Sequence, residues 1–499
     1  MEACIAGANV FGGNRLLVVS NRGPFEYRTG AGGDLEAVPG QGGVATALRA
    51  AAQFQPTTWL SSPFTDQDRL LALRPSFPGS CQPHRFVSTD EAEYHLFYEG
   101  FSNQILWFLQ HGLGPSPDAC PAAASEAWRN GYVPVNRAFA RAVIAEIDAS
   151  QAWSVMFHDY HFYLAPRLVK EVRPDVHLQH FIHIPWPKPA AWCRVNDVTL
   201  TSICRGLLGN DSVVFQTAED AENFVATCAE VVPDARVAPD GATVDLGSRS
   251  VRVWADPISV DPAELASLSR SPEFARYQRL LTPASGRKVI VRVDRLDPTK
   301  NVIAGLEAYR LLLRGGPILR GRVEFLAFLV PTRTSIPAYS EYRDRTMALA
   351  NDINREFGAG DWRPITIAYE NNRVKALAGL SLADVILVNP LADGMNLVAK
   401  EGPLVNSRNA VLVLSTRAGA YSELRGGAIG IDPTDVSATV GAITQALEMS
   451  ADERAWRARK LRQAISSHDL RAWFRDLVAG NGVSGVAPVT LPAAATLAG

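Results

Sequence analysis

No two of the six cysteines (Cys4, Cys81, Cys120, Cys193, Cys204, Cys228) stand in a CxxC pair. Scattered in this way they read as reduced thiols, which excludes a disulfide frame and a cysteine-rich zinc site. An excess of positive charge is missing too: 49 Lys and Arg face 51 Asp and Glu, a formal net charge of -2. No blanket of cations is offered to nucleic acid or to an anionic lipid surface, so any anion must be met by a local site. No run approaches the ~20 apolar residues that span a bilayer. The opening MEACIAGANVFGGNR lacks the basic-then-apolar order of a secretory signal. These absences leave a cytoplasmic, soluble protein that acts on small molecules, with no nucleic-acid or membrane partner; a homo-oligomer is compatible with them.

What is present is the material of two cores. The chain has 499 residues, 47% of them hydrophobic and 20% charged, which suits two domains better than one. Short apolar runs that end in turn residues alternate with helical patterns. Strands are expected over 15–20 (RLLVVS), 153–157, 177–182 and 212–216, with helices over 164–172 and 218–231 between and after them. A glycine-rich stretch over 29–43 leads into a helix from Val44. A hairpin-like region over 236–254 ends in a proline-bracketed piece, 256–262, which serves as the linker. The alternation then restarts: strands over 288–294, 323–330, 365–369, 384–389 and 410–415, helices over 299–314 and 338–357. This pattern predicts two doubly wound α/β sheets. The boundaries expected are 1–257, 258–466, a last helix within 467–486, and a disordered tail over 487–499 rich in small residues and proline.

Ligands of open α/β sheets sit outside the carboxyl ends of the strands, and the polar residues cluster there. Ser20-Asn21-Arg22 follows the first strand, and Gly40-Gln41-Gly42-Gly43 precedes a helix; a guanidinium fork and free helix N–H groups both suit phosphate. A lone glycine-rich loop is weak evidence, and a plain turn explains it as well. Asp159 in His158-Asp159-Tyr160-His161 can orient a sugar hydroxyl, and His183 in His183-Ile184-Pro185-Trp186-Pro187 can hold a pyranose. The histidines lack HExxH spacing and have no cysteine beside them, so no metal is expected. Arg295 and Lys300, in Asp294-Arg295-Leu296-Asp297-Pro298-Thr299-Lys300-Asn301, place two cations at a strand-to-helix turn, where they would neutralise a diphosphate; capping by Asp297 or Thr299 is compatible with that role. The most specific segment is Asp393-Gly394-Met395-Asn396-Leu397-Val398-Ala399-Lys400-Glu401. Here the glycine is expected to make a tight turn, the amides of 395–398 to face phosphate, Asp393 to reach sugar hydroxyls and Glu401 to accept from ribose.

Together these segments resemble the trehalose-6-phosphate synthase family. The matches are VSNR, the GG before the first helix, FSNQILW, HDYH, HIPWP, DRLDPTKN, DGMNLVAKE and VLVLSTRAGAYSEL, in the family's order, from about Leu16 to Val478. The resemblance implies a GT-B fold with the active site in the interdomain cleft and a final helix, 469–477, crossing back to the first domain. It implies retaining transfer of glucose from a nucleoside diphosphate donor to glucose 6-phosphate, with no metal or other cofactor. It sets Arg22, Tyr98, Trp107, Asp159 and Arg333 on the acceptor side. It sets Gly43, His183, Arg295, Lys300, Asp393, Gly394, Met395, Asn396, Leu397, Val398 and Glu401 on the donor side. Three departures stand out. Pro298 and Asn301 replace the usual tyrosine and glycine, the tryptophan-rich segment shrinks to Trp59-Leu60-Ser61-Ser62, and the helix after Glu401 reads Gly402-Pro403-Leu404-Val405-Asn406. The Lys-Asn pair, HIPWP and PLVN also resemble the validoxylamine-phosphate synthase branch, a pseudo-glycosyltransferase. Other readings are a glycosyltransferase with another phosphorylated acceptor, such as glycerol 3-phosphate, and a non-catalytic regulatory paralogue. Intact VSNR and DGMNLVAKE motifs favour a true glycosyltransferase.

Overall fold

Short apolar runs stopped by turn residues become buried parallel strands. β1 (Arg15–Val19) is exposed only at its first residue and β12 (Lys288–Arg295) hides most of its length, as strands covered on both faces must. The structure, a computed structural model, describes residues 15–30, 34–39, 57–73, 83–114, 120–148, 151–283 and 286–480. Gly43, the glycine loop around it and the helix expected from Val44 lie outside these, as does the tail over 487–499.

The first sheet also contains β4 (Thr57–Ser61), β5 (His84–Phe86), β6 (Trp153–His158), β7 (His177–Phe181), β8 (Ser212–Phe215), β9 (Arg236–Val237), β10 (Thr243–Asp245) and β11 (Ser250–Ala255). Its order is β5-β4-β1-β6-β7-β8-β11-β10-β9. Pairing is parallel from β5 to β11, for example Val19 beside Phe157, and turns antiparallel only at β10 and β9. The second sheet adds β13 (Val323–Val330), β14 (Ile365–Tyr369), β15 (Val385–Val388), β16 (Val411–Ser415) and β17 (Ile429–Ile431) to β12. Its order is β14-β13-β12-β15-β16-β17, parallel throughout. Both orders reverse direction beside their first strand, which creates the crevice in which such sheets bind ligands.

The stretch expected as a polar loop over 29–43 instead includes half of an antiparallel ribbon, β2 (Phe25–Thr29) on β3 (Leu35–Pro39). A ribbon this short is marginal alone; Asp68 secures it by accepting from the N–H of Tyr27 at 2.8 Å. Residues 96–106 (LFYEGFSNQIL) wind as a π-helix, and 128–132 do so again. Wide turns of this kind occur mostly at functional sites.

The chain passes between the sheets through 256–261. The helix Leu470–Ala479 lies back against the first sheet: Gln179 donates to the Leu477 carbonyl at 3.1 Å, and Trp473 meets Phe181 edge-on at 5.5 Å. No described helix is long and apolar enough to cross a membrane.

Candidate active site

The carboxyl ends of β1, β6, β7, β12 and β13 open onto one cleft of about 620 Å³. Its walls carry Arg22, Tyr98, Trp107, Asp159, His183, Arg295, Lys300, Arg333, Asp393, Met395, Asn396, Leu397, Val398 and Glu401. Residues as far apart in sequence as Arg22 and Glu401 thus meet, as strand-end placement requires.

On the wall built by the second sheet, Lys300 is buried and its ammonium contacts the Asp393 carboxylate directly. Burial alone would raise Asp393. The Lys300 charge and hydrogen bond outweigh it, with help from His111 and Asn396, and hold the carboxyl below its usual range. Lys300 is therefore not a solvated first-turn lysine. Asp297 does cap the turn, accepting from Thr299 N at 2.9 Å, and the helix proper starts later than expected, at Val302. Asn301 sits at φ 59°, a left-handed position that asparagine tolerates nearly as glycine does, and its amide donates to the Pro433 carbonyl at 2.8 Å. That accounts for one departure from the family pattern.

The Asp393–Glu401 segment corrects an expectation. Gly394 makes no left-handed turn; the positive φ, 80°, belongs to Asn396. Gly394 is needed for close approach instead: a Cβ there would lie 1.9 Å from the main-chain oxygen of His183. Two loops from opposite sheets therefore touch backbone to backbone. Asn396 steadies its turn by donating to Asp393 at 3.0 Å and accepting from Ala399 N at 3.2 Å. The main-chain N–H groups of Met395, Asn396 and Leu397 meet no acceptor among the described residues, which leaves them available to an anion at the start of helix Val398–Val405. Glu401 is half-buried and accepts from Arg373 at 2.9 Å, and Arg373 also grips Glu264 at 2.8 Å.

On the wall built by the first sheet, Arg22 stands over the Phe64 ring at 4.3 Å and pairs with Glu26 at 2.9 Å. The loop that carries it is propped by Trp59, whose indole donates to Ser20 at 2.6 Å, and by Ser62, which donates to Asn21 at 3.0 Å. The shortened tryptophan segment thus still buttresses β1. Burial would push the Tyr98 phenol up, but the charges of Arg333 and Arg22, with a hydrogen bond from Arg22, leave it below its ordinary value. An anionic group finds two guanidinium groups and a phenol gathered there.

Trp107 has a different surrounding from the one its aromatic face suggested. It is 4% exposed; Arg333 lies 4.0 Å and Arg295 5.0 Å from its ring centre. The indole is a platform for two guanidinium groups rather than an open face for a pyranose. Arg333 has φ 46°, donates to Asp297 at 2.8 Å and to Tyr160 at 3.0 Å. Asp297 is held below the usual carboxylate range: burial opposes this, but the Arg333 and Arg295 charges prevail. Arg295 itself makes no ion pair among the described residues, and its charge acts on the Asp297 and Asp159 carboxylates from a distance.

Asp159 also has a positive φ, 70°. Its oxygen accepts from His183 N at 3.3 Å, and burial pushes its carboxyl up to about 7, against the lowering by two main-chain hydrogen bonds and by Arg295 and Arg333. Asp159, Arg333 and Asn396 are three non-glycine residues held in a conformation that costs of order 1–3 kcal/mol each, all on the cleft wall. Tyr160, Asp297, Gln216 and Arg373 complete the site; the sequence reading raises Asp297 only as a cap and does not single out the other three. A uniform rule, that any polar residue within two positions of a strand end is a candidate, would have raised Tyr160, Asp297 and Gln216.

Two facing α/β sheets with the cleft at their carboxyl ends define the GT-B architecture. The description "Glycosyltransferase family 20" matches residues 14–480, and the chain belongs to that family. It is 35% identical over 486 residues to a bifunctional trehalose-6-phosphate synthase/phosphatase of Thermoproteus tenax, covering 93% of this chain but only 63% of that protein. It is 32% identical over 500 residues to the trehalose-6-phosphate synthase of Mycobacterium bovis, with 96% and 97% of the two chains covered. Among solved structures, the UDP-forming alpha,alpha-trehalose-phosphate synthase of Burkholderia xenovorans in complex with glucose-6-phosphate is similar at TM-score 0.79 and 27% identity, covering 93% of this chain and all of that one.

Proposed function

We propose that the chain is a cytoplasmic, retaining glucosyltransferase that moves glucose from a nucleoside diphosphate to glucose 6-phosphate, forming trehalose 6-phosphate, without a resident metal. One observation carries the reading: Arg295, with no ion pair, paired Lys300–Asp393 and the amides of 395–397, with no acceptor among the described residues, face Arg22, Tyr98, Arg333 and Asp159 across a single cleft. The Burkholderia xenovorans relative, named as UDP-forming and bound to glucose 6-phosphate, supports uridine as the donor base and a hexose phosphate as acceptor.

Donor arrival exchanges partners. Lys300 turns from Asp393 to the diphosphate beside Arg295, and Asp393 then accepts from hydroxyls of the donor glucose. Glu401, oriented by Arg373, accepts from the ribose. Arg22, Tyr98 and Arg333 hold the acceptor phosphate, and Asp159 accepts from an acceptor hydroxyl. The bond from the anomeric carbon to the diphosphate breaks, the acceptor oxygen bonds to the same face, and its proton passes to the departing phosphate oxygen. The cations stabilise the charge that develops on the diphosphate, the role a divalent ion plays elsewhere. No protein nucleophile takes part.

Nucleotide release measured side by side with glucose 6-phosphate, glycerol 3-phosphate and free glucose tests this. Glucose 6-phosphate should be fastest, and free glucose poor because it brings no anion to Arg22. Activity should survive thorough EDTA treatment. A faster rate with glycerol 3-phosphate, or a strict need for magnesium or manganese, would reject the reading.

A further inference from the structure

Two buried histidines on the cleft wall receive definite proton positions from one main-chain hydrogen bond. Ile258, in the extended stretch after β11, donates its N–H to Oε1 of Gln216 at 2.9 Å. A main-chain N–H only donates, so that atom of Gln216 is its oxygen and the amide has one orientation. The Gln216 nitrogen then donates to Nδ1 of His183, 3.2 Å away. Burial drives His183 down to about 3, with the neighbouring His180 adding to the effect, and drives His158 well below the ordinary histidine value. Both imidazoles are neutral. A neutral His183 that accepts at Nδ1 carries its hydrogen on Nε2, which lies 3.0 Å from Nδ1 of His158. His158 accepts there and keeps its own hydrogen on Nε2, a buried atom with no partner among the described residues.

The same peptide is held from the other sheet. The Ile258 carbonyl accepts from Lys400 at 2.9 Å, in the helix that follows the donor loop, while His183 touches Gly394 of that loop through its main chain. The linker peptide thus ties Gln216 on one side to the donor helix on the other.

We propose that Gln216 is a positioning residue: held by the linker peptide at Ile258, it locks His183 in the Nε2–H tautomer and fixes that ring on the donor side of the cleft. Which nitrogen of a histidine carries the proton is set by the bond the other nitrogen makes, and here that bond comes from Gln216. The kinetic consequence rests on the function proposed above; the tautomer does not.

The test uses the full chain labelled with 15N-histidine and long-range proton–nitrogen correlation spectra. His183 and His158 are assigned among the nine histidines with His183→Gln and His158→Gln. Wild type should show both as Nε2–H. In Gln216→Glu the carboxylate still accepts from Ile258 but cannot donate, so His183 should change to Nδ1–H or take a second proton. Displacement of a group at the reacting centre then lowers kcat by about tenfold or more, with acceptor KM nearly unchanged. A wild-type His183 found as Nδ1–H overturns the proposal, as does an unchanged His183 in Gln216→Glu or a switched tautomer with unaltered kcat. If that variant does not fold, the wild-type spectrum still decides. The spectra need no substrate, so a wild-type chain that releases no nucleotide defeats the activity and leaves the tautomer assignment standing.

Discussion

The two walls of the cleft hold their charges in different ways. On the donor wall, cation and carboxylate are already paired: Lys300 lies on Asp393 and Arg373 on Glu401. On the proposed acceptor wall the guanidinium groups are paired too, Arg22 with Glu26 and Arg333 with Asp297, but each also rests on a ring, Phe64 and Trp107. Pairing alone cancels charge until a ligand exchanges partners, whereas a ring beneath a paired guanidinium also fixes its orientation. Under the proposed function, the donor wall suits a ligand bringing both hydroxyls and phosphate, and the acceptor wall an anion. The backbone follows suit, since the donor segment is contiguous, Asp393 to Glu401, and the acceptor wall is gathered from positions 22, 98, 107, 159 and 333.

The largest effect that would test this contrast is at Lys300. Lys300→Ala removes one of the two cations proposed for the diphosphate and leaves the half-buried Asp393 carboxylate without its cation. Loss of a group that stabilises developing charge typically costs 10²–10³ in rate, so kcat/KM for the donor should fall by about that much. Steady-state nucleotide release would show it, and a loss confined to acceptor KM would place Lys300 on the wrong wall. Arg22→Ala should do less and act elsewhere. A charge-assisted hydrogen bond contributes roughly 1.5–3 kcal/mol, which raises acceptor KM by about tenfold or more while donor KM stays put. If the donor term moves instead, the two walls are not separate.

How much of this the sequence revealed follows the same division. Strands 323–330 and 365–369 and the helix 218–231 were legible to the residue, because unbroken apolar runs and a threonine cap leave little choice. The donor motif was legible because one turn and one helix bring its residues together. Its detail was not: which residue takes the left-handed turn depends on His183 lying against Gly394, a contact between distant loops. Trp107 misled for a similar reason, since an aromatic residue in isolation gives no sign of the guanidinium groups that cover it. The ribbon of β2 and β3 and the π-helical stretch 96–106 were missed because glycine-rich and mixed polar runs carry neither period clearly. Arg373 could not be found at all from its neighbours, because its meaning lies in Glu264 and Glu401.

The last predicted effect lies where the two halves join, and it is one of stability rather than of rate. Asp256, at the end of the first sheet, is fully buried and neither carboxylate oxygen has a hydrogen-bond partner among the described residues. His468 stands 3.7 Å from it and 3.6 Å from Asp476, and Glu423 and Lys400 face it from the donor side. Burial pushes its carboxyl up to about 8, the charges of Asp476 and Glu423 add to the rise, and Lys400 opposes it. Unfolded, the same group titrates near 3.8. Between those two values the native chain keeps a proton that the unfolded chain has released, so this group's contribution to stability declines as pH rises through that window. Asp256→Asn keeps the shape and cannot ionise. It should melt close to wild type at about pH 5 and measurably higher than wild type at about pH 8.5, by thermal denaturation followed in circular dichroism. Equal offsets at both pH values would show that Asp256 is ionised in the native seam, with His468 protonated as its partner, and the junction would then be an ion pair like the Lys300–Asp393 contact of the donor wall.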